Sequence, residues 1–113
     1  MAIRRSAPRN PPPKDCPLEE ALQVLASTWT PKILWFLSEG PRRFGDLRRD
    51  LESISPKVLT ERLRDLERNE IITRKVLPTS PPTVEYSLTG LGREFGPVLD
   101  AMEKVARRIR RTK

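Results

Sequence analysis

The sequence predicts one mostly α-helical domain that carries a small β-hairpin, the wing of the fold. Three observations support this fold class. Apolar residues recur at helical spacing near both ends of the chain and over residues 56–68. A proline-rich turn separates two short strand-like segments, and the second alternates apolar and polar residues from Thr83 to Leu88, as a half-buried strand does. At 113 residues, the chain has room for one core.

Local start and stop signals divide the first half of the chain into three helices and one short strand. Proline suits the first turn of a helix, and a Gly-Pro pair ends one. The predicted elements are a helix over about 17–27, a helix that opens at Trp29-Thr30-Pro31 and ends at Gly40-Pro41, a strand at Arg42-Arg43-Phe44 and a helix over 45–51. Trp35 and Phe36 are interpreted as core residues rather than as a ligand cage.

The fourth helix is predicted over residues 56–68. Ser55-Pro56 supplies an N-cap followed by a proline at the first helical position. Leu59, Leu63 and Leu66 fall on one side of this helix and form its buried stripe. Asn69 is expected to end the helix in the left-handed conformation.

A hairpin and a last helix complete the domain. Strands are predicted over 71–77 and 83–88, and Thr89 is expected to cap the last helix. Pro97 should bend that helix early because proline removes one backbone hydrogen bond. The predicted order is therefore helix, helix, strand, helix, helix, strand, strand, helix.

The outer face of the fourth helix carries Lys57, Thr60, Arg64 and Arg68, with Glu61 as its one acid. Major-groove recognition helices use lysine and arginine for guanine edges and phosphates, and hydroxyls for backbone or base contacts. A helix N-terminus also favours phosphate. Any surface helix can carry a charged outer face, so this face alone leaves both interpretations open.

The surrounding elements favour DNA binding. A short helix, a tight turn and a longer capped helix are followed at once by a hairpin that carries Arg74 and Lys75. This is the arrangement of a winged helix-turn-helix. Prolines stiffen the hairpin tip, and a stiff wing can lie against DNA with little ordering cost. The alternative is a plain connecting turn.

The net charge predicts a polyanionic partner, and its sign fits both nucleic acid and a membrane surface. The net charge is +7, with 33% charged and 36% hydrophobic residues. Residues 1–15 carry +3 and residues 107–113 carry +5, which leaves −1 for residues 16–106. Residues 1–15 are expected to be a disordered, basic, proline-rich arm, and 107–113 a basic tail; such segments are either solvated or lie along phosphates.

Several function classes are excluded by what the sequence lacks. It has no histidine and one cysteine, so it lacks the usual metal ligands, and no cofactor is expected. It also lacks a glycine-rich phosphate loop and converging carboxylates, so an enzyme is not expected. No apolar segment is long enough to span a membrane and no signal peptide is visible, which predicts a cytoplasmic protein without a membrane partner.

Over about residues 16–106 the sequence resembles the HxlR-type winged helix-turn-helix regulators, relatives of the MarR-like repressors. The matching stretches are Cys16-Pro17-Leu18, Trp29 with Ile33-Leu34, Gly40-Pro41-Arg42-Arg43-Phe44-Gly45-Asp46-Leu47-Arg48, residues 54–67 and Val84-Glu85-Tyr86-Ser87-Leu88-Thr89-Gly90-Leu91-Gly92. The resemblance implies a dimeric regulator whose recognition helix is 56–68. Two positions depart from the family pattern: Thr28 replaces a basic residue before the tryptophan, and Glu70 replaces a glycine after the recognition helix.

The residues expected to contact double-stranded DNA lie on the fourth helix, on the elements before it and on the wing. Arginines at the short strand and third helix can bind phosphate and fix the register of the recognition helix, or they can pair with nearby acids, which applies most to Arg49. The expected DNA-binding residues are Arg43, Arg48, Ser55, Lys57, Thr60, Arg64, Arg68, Arg74 and Lys75.

The first and last helices carry more apolar residues than one small domain needs, which predicts a homodimer through these helices. The alternative is that the two helices pack only on each other. The expected interface residues are Leu18, Leu22, Leu25, Phe95, Leu99, Met102, Val105 and Ile109. Cys16 stands where some relatives use a cysteine as an oxidation sensor, or it is a small buried side chain.

Together these features predict a transcriptional regulator that binds a palindromic or pseudopalindromic operator as a homodimer. A largely non-specific architectural DNA-binding protein is the alternative, against which the near-neutral charge of residues 16–106 argues. A small-molecule or redox effector is compatible with the sequence, which does not identify it.

Overall fold

The computed structural model describes residues 17–112. Within this range the predicted order of elements is confirmed, except that the last helix is divided in two. The elements are α1 (Pro17–Val24), α2 (Thr30–Leu37), β1 (Arg42–Arg43), α3 (Phe44–Leu51), α4 (Pro56–Arg68), β2 (Ile72–Leu77), β3 (Thr83–Leu88), α5 (Gly90–Arg93) and α6 (Phe95–Arg111). No helix within residues 17–112 is long and apolar enough to cross a membrane.

The division of the last helix has its cause in Pro97. A proline cannot donate to the carbonyl four residues earlier, and its ring crowds that carbonyl. For Pro97 that carbonyl belongs to Arg93, and α5 ends at Arg93. Pro97 itself lies in the first turn of α6. Backbone N–H groups in a first turn have no acceptor within the helix, so the missing N–H of proline costs no helical hydrogen bond there.

The core lies between α2, α3, α4 and the sheet. Its buried residues are almost all aliphatic, and α4 contributes the predicted stripe of Leu59, Leu63 and Leu66. The complete set is Ile33, Leu34, Leu37, Leu47, Leu51, Ile54, Leu59, Leu63, Leu66, Ile71, Ile72, Tyr86, Leu88 and Leu99. Phe36 packs against this core, but Trp35 is 39% exposed, so its interpretation as a core residue was wrong.

Three antiparallel strands form the sheet, in the order β1-β3-β2. Directly paired residues share a face of a sheet. Arg42 pairs with Tyr86, which pairs with Arg74, so these three share the face that also carries the buried Ile72 and Leu88. The next row, Arg43, Glu85 and Lys75, therefore lies on the opposite face.

The two ends of α4 are fixed by local hydrogen bonds. The Ser55 hydroxyl oxygen accepts from the backbone N–H of Val58 at 3.1 Å, which confirms the predicted N-cap. At the other end Asn69 has φ −87°, so the expected left-handed conformation there was wrong. Glu70 adopts it instead, with φ 59°, and the N–H of Ile71 donates to the carbonyl of Leu66 at 2.9 Å. This is a Schellman motif closed by a residue other than glycine.

Candidate nucleic-acid interface

The outward face of α4 presents free cations. Lys57 and Arg64 are exposed, and neither takes part in an ion pair within residues 17–112. Ser55 is exposed at the N-terminus of the same helix, and its hydroxyl hydrogen remains available because the cap uses the oxygen. Thr60 is half-buried beside them. The helix therefore presents charges and hydroxyls on a rigid, capped support.

Arg68 differs from the other two cations of this face. It forms an ion pair with Asp65, whose carboxylate also bonds Arg62 at 3.3 Å. One carboxylate thus holds two arginines at the C-terminal end of α4. Arg68 is still exposed, and exposed ion pairs are weak, so it can exchange Asp65 for another anion at little cost.

Before α4, the arginines divide into paired and unpaired ones. Arg42 pairs with Asp50 and Arg49 with Asp46, so the alternative for Arg49 is the one observed. Arg43 and Arg48 are exposed and take part in no ion pair in the described part of the chain. They are the two expected phosphate ligands of this segment, and both remain available.

Asp46 anchors the start of α3. Its carboxylate accepts from the backbone N–H of Arg43 at 3.2 Å. This hydrogen bond lowers the pKa of Asp46 below its ordinary value of 3.8; partial desolvation opposes the change, and the charges of Arg49 and Arg42 reinforce it. The carboxylate is therefore ionised at neutral pH and holds the backbone of Arg43 in place.

On the wing, the two expected cations are separated by the sheet. Arg74 and Lys75 are both exposed but lie on opposite faces, because successive residues of a strand alternate. Lys75 shares its face with Arg43, and Glu85 stands between the two in the sheet register. Glu85 was not among the expected site residues, although its place in the alternating strand is visible in the sequence. The tip, residues 78–82, carries no charge, and the two expected cations of the wing lie in the middle of β2.

The residues expected at a dimer interface fall into two groups. Leu25 and Phe95 are partly buried against the core, and Leu99 is only 6% exposed. These three residues stabilise the protomer itself and leave little surface for a partner. The others project outward, with exposed fractions of about a half: Leu18, Leu22, Met102, Val105 and Ile109. Cys16 and residues 1–15 lie outside the described residues.

The family follows from comparison with known proteins. Residues 24–113 match the model of the family described as HxlR-like helix-turn-helix. This chain belongs to the HxlR family. Its fold is accordingly a winged helix-turn-helix, in which α3 and α4 form the helix-turn-helix and β2 and β3 the wing.

Individual HxlR relatives and solved structures agree with this assignment. An HTH-type transcriptional regulator of Synechocystis sp. is 48% identical over 90 residues, which cover 80% of this chain and 67% of the relative. YodB, an HTH-type transcriptional regulator of Bacillus subtilis, is 40% identical over 89 residues, covering 78% and 80%. The crystal structure of a MarR-family regulator from Porphyromonas gingivalis W83 superposes with a TM-score of 0.83 at 34% identity, over 88% of this chain and 97% of that one.

A further similar structure is that of the redox regulator HypR in its reduced form, with a TM-score of 0.79, 36% identity and coverage of 83% and 93%. The family consists of DNA-binding regulators, not enzymes. The HxlR protein described here is thus a transcriptional regulator of the helix-turn-helix type.

Proposed function

We propose that this HxlR protein recognises a specific DNA sequence by placing α4 in the major groove. The observation that carries the proposal is the pair of exposed cations on α4, Lys57 and Arg64, neither of which forms an ion pair with any residue of the described range 17–112. Guanine offers two acceptors in the major groove, which a free arginine can bind in a bidentate manner. Because the cap and the buried stripe already fix α4, little conformational freedom is lost on binding.

Cations on neighbouring elements supply the proposed phosphate contacts. Arg43 and Arg48 precede α4, and Arg74 and Lys75 lie in the middle of β2 on the wing. Phosphate contacts position a protein on the duplex without reading its sequence. The proposed DNA-binding surface also includes the hydroxyls of Ser55 and Thr60. Arg68 joins this surface when it exchanges its ion pair with Asp65 for a phosphate.

The protein is proposed to act as a homodimer. The exposed apolar side chains of α1 and α6, such as Leu22 and Met102, would be covered by the same surfaces of a second copy. Two-fold symmetry then places two copies of α4 about one helical turn, roughly 34 Å, apart on a palindromic site. A single α4 contacts too few base pairs to select one site in a genome.

The location of the protein and its response to oxidation are further proposals. The protein would act in the cytoplasm, where the DNA of a bacterium or archaeon lies. Solved relatives include a redox regulator in oxidised and reduced forms, and oxidation sensing at Cys16 stays a prediction.

The role of α4 is tested with Arg64→Ala on duplexes that the wild type selects from a random-sequence pool. We expect a loss of about 1 to 3 kcal/mol, roughly 5- to 150-fold in affinity, with relaxed preference at one base pair. Arg93→Ala removes another exposed arginine, from α5, and serves as the matched control. Equal affinity and unchanged preference in folded Arg64→Ala would remove Arg64 from the recognition surface. Selection of no common sequence by the wild type would favour the architectural alternative.

A further inference from the structure

A groove runs between α2 and α6 and ends at the loop between α3 and α4. Its volume is about 700 Å³, within the range of small-molecule sites. Both tryptophans of the chain, Trp29 and Trp35, line it together with Phe36, Leu99 and Met102. The groove therefore offers aromatic and aliphatic walls rather than a polar surface.

The charged groups that line this groove are mostly acidic. Asp50, Glu52 and Glu103 contribute three carboxylates against the single ammonium of Lys32. Asp50 and Glu103 each pair with an arginine, whereas Glu52 takes part in no ion pair among residues 17–112. Lys32 lies over the ring of Trp29, 5.2 Å from its centroid. In a chain with a net charge of +7, this lining is complementary to a cation.

Aromatic faces add to that complementarity. The π-face of an indole carries partial negative charge and attracts organic cations, most strongly where water is excluded. A ligand with a flat aromatic ring can pack against the side chains of Trp35 and Phe36, and a positive group on it can pair with the carboxylate of Glu52. We propose that this groove binds a small aromatic organic cation, which is a role beyond DNA recognition.

Glu52 connects the groove with the DNA-binding element. It has φ 56° and ψ −76°, and the N–H of Ser53 donates to the carbonyl of Leu51 at 2.7 Å. This is a classic γ-turn, a strained conformation that non-glycine residues rarely adopt. The turn ends at Ser53, two residues before the N-cap Ser55, in the loop that joins α3 to α4. A cation held by Glu52 therefore acts on the loop that sets the position of α4.

The groove is distinct from the proposed dimer surface. At 100° per residue, Leu99, Glu103 and Ala106 of α6 point toward the groove. Val105 and Ile109 point about a quarter turn away, and only Met102 stands at the border of both faces. Pairing of α6 with a second copy through Val105 and Ile109 would therefore use a different face of α6 from the one that lines the groove.

The site is tested by tryptophan fluorescence of the full-length protein, because both tryptophans report from the groove. The probes are benzyltrimethylammonium, neutral benzyl alcohol and anionic benzoate, which share one ring and differ in charge. We expect saturable binding of the cation that is at least about tenfold tighter than that of the other two. Glu52→Gln should raise the Kd of the cation about threefold or more, because it removes the free carboxylate. Glu39→Gln removes an exposed carboxylate outside the groove and should leave the Kd unchanged.

The link to DNA is tested separately, on the duplex that the wild type selects from a random pool. Saturating benzyltrimethylammonium should change the affinity of the wild type for this duplex about threefold or more, and should change that of Glu52→Gln less. Absence of saturable binding, or equal binding of benzoate, would overturn the site. Binding without any change in DNA affinity would overturn its link to α4. The fluorescence result stands apart from the proposed function, because it needs no DNA.

Discussion

Gly92 lies in close contact with neighbouring backbone, and replacing it by alanine should strongly destabilise the fold. Its backbone N–H donates to the hydroxyl of Thr89 at 2.9 Å, and the N–H of Thr89 donates to the carbonyl of Ile71 at 3.0 Å. A Cβ at residue 92 would stand 2.2 Å from that carbonyl oxygen and 3.2 Å from a methyl group of Leu88. The backbone of α5 or of the segment before β2 must therefore move by about 0.8 Å to reach the closest tolerated approach.

The expected cost follows from this displacement. Forcing atoms into a packed site costs about 1 to 3 kcal/mol, and here the contact is with backbone, which yields less than a side chain. The higher helix propensity of alanine offsets at most about 1 kcal/mol of this cost. We expect Gly92→Ala to lower the free energy of unfolding by about 2 to 3 kcal/mol, measured by urea denaturation followed by circular dichroism. For a domain of this size the melting temperature falls by roughly 8 to 24 °C.

Gly96→Ala is the matched control. It lies in α6, and a Cβ there meets nothing within 4 Å. Alanine at residue 96 should raise the free energy of unfolding by up to about 1 kcal/mol through helix propensity alone. A Gly92→Ala protein within about 0.5 kcal/mol of wild type, a difference typical of a surface substitution, would refute the reasoning.

Three further variants test other parts of the structure. Glu70→Gly should raise the free energy of unfolding by about 0.5 to 1 kcal/mol, because glycine adopts φ 59° without the steric cost of a Cβ; an unchanged denaturation midpoint would contradict this. Asp46→Asn should lower stability at neutral pH. Because the pKa of Asp46 is lowered on folding, its contribution is present above 3.8 and is lost as the pH falls through the lowered value, so the stabilities of wild type and variant should converge as the pH falls below 3.8 in denaturation experiments. Leu22→Asp with Met102→Asp should give folded monomers in sedimentation, because both side chains are about half exposed in the protomer and would be desolvated only in a dimer. Retained helicity is the required control, and a variant that remains dimeric would exclude this surface.

The elements with strong local signals were predictable from the sequence. Ser55-Pro56 and the leucine stripe defined α4 because capping and amphipathic spacing act within one helix. The hairpin followed from alternation and its proline-rich turn. The left-handed residue was misplaced by one because Asn69 favours that conformation intrinsically, whereas the hydrogen bond from Ile71 to Leu66 imposes it on Glu70.

Features that depend on tertiary contacts were harder to predict from the sequence. Helical spacing placed Leu99 on the apolar side of α6, but it cannot distinguish the core of one chain from a surface for a second chain. The pairing of Arg68 with Asp65 depends on rotamers of two exposed side chains. Trp35 belongs to an apolar helix, and its exposure arises because α6 leaves a groove beside it.

The central claim is that α4 recognises a DNA sequence rather than the phosphate backbone alone. The most direct measurement is the ratio of wild-type affinities for a selected duplex and for its scrambled counterpart as salt is raised. Both affinities should fall with salt, because phosphate contacts release counterions. The account predicts a ratio of about 10³ or more at physiological salt. A ratio near one throughout would contradict it.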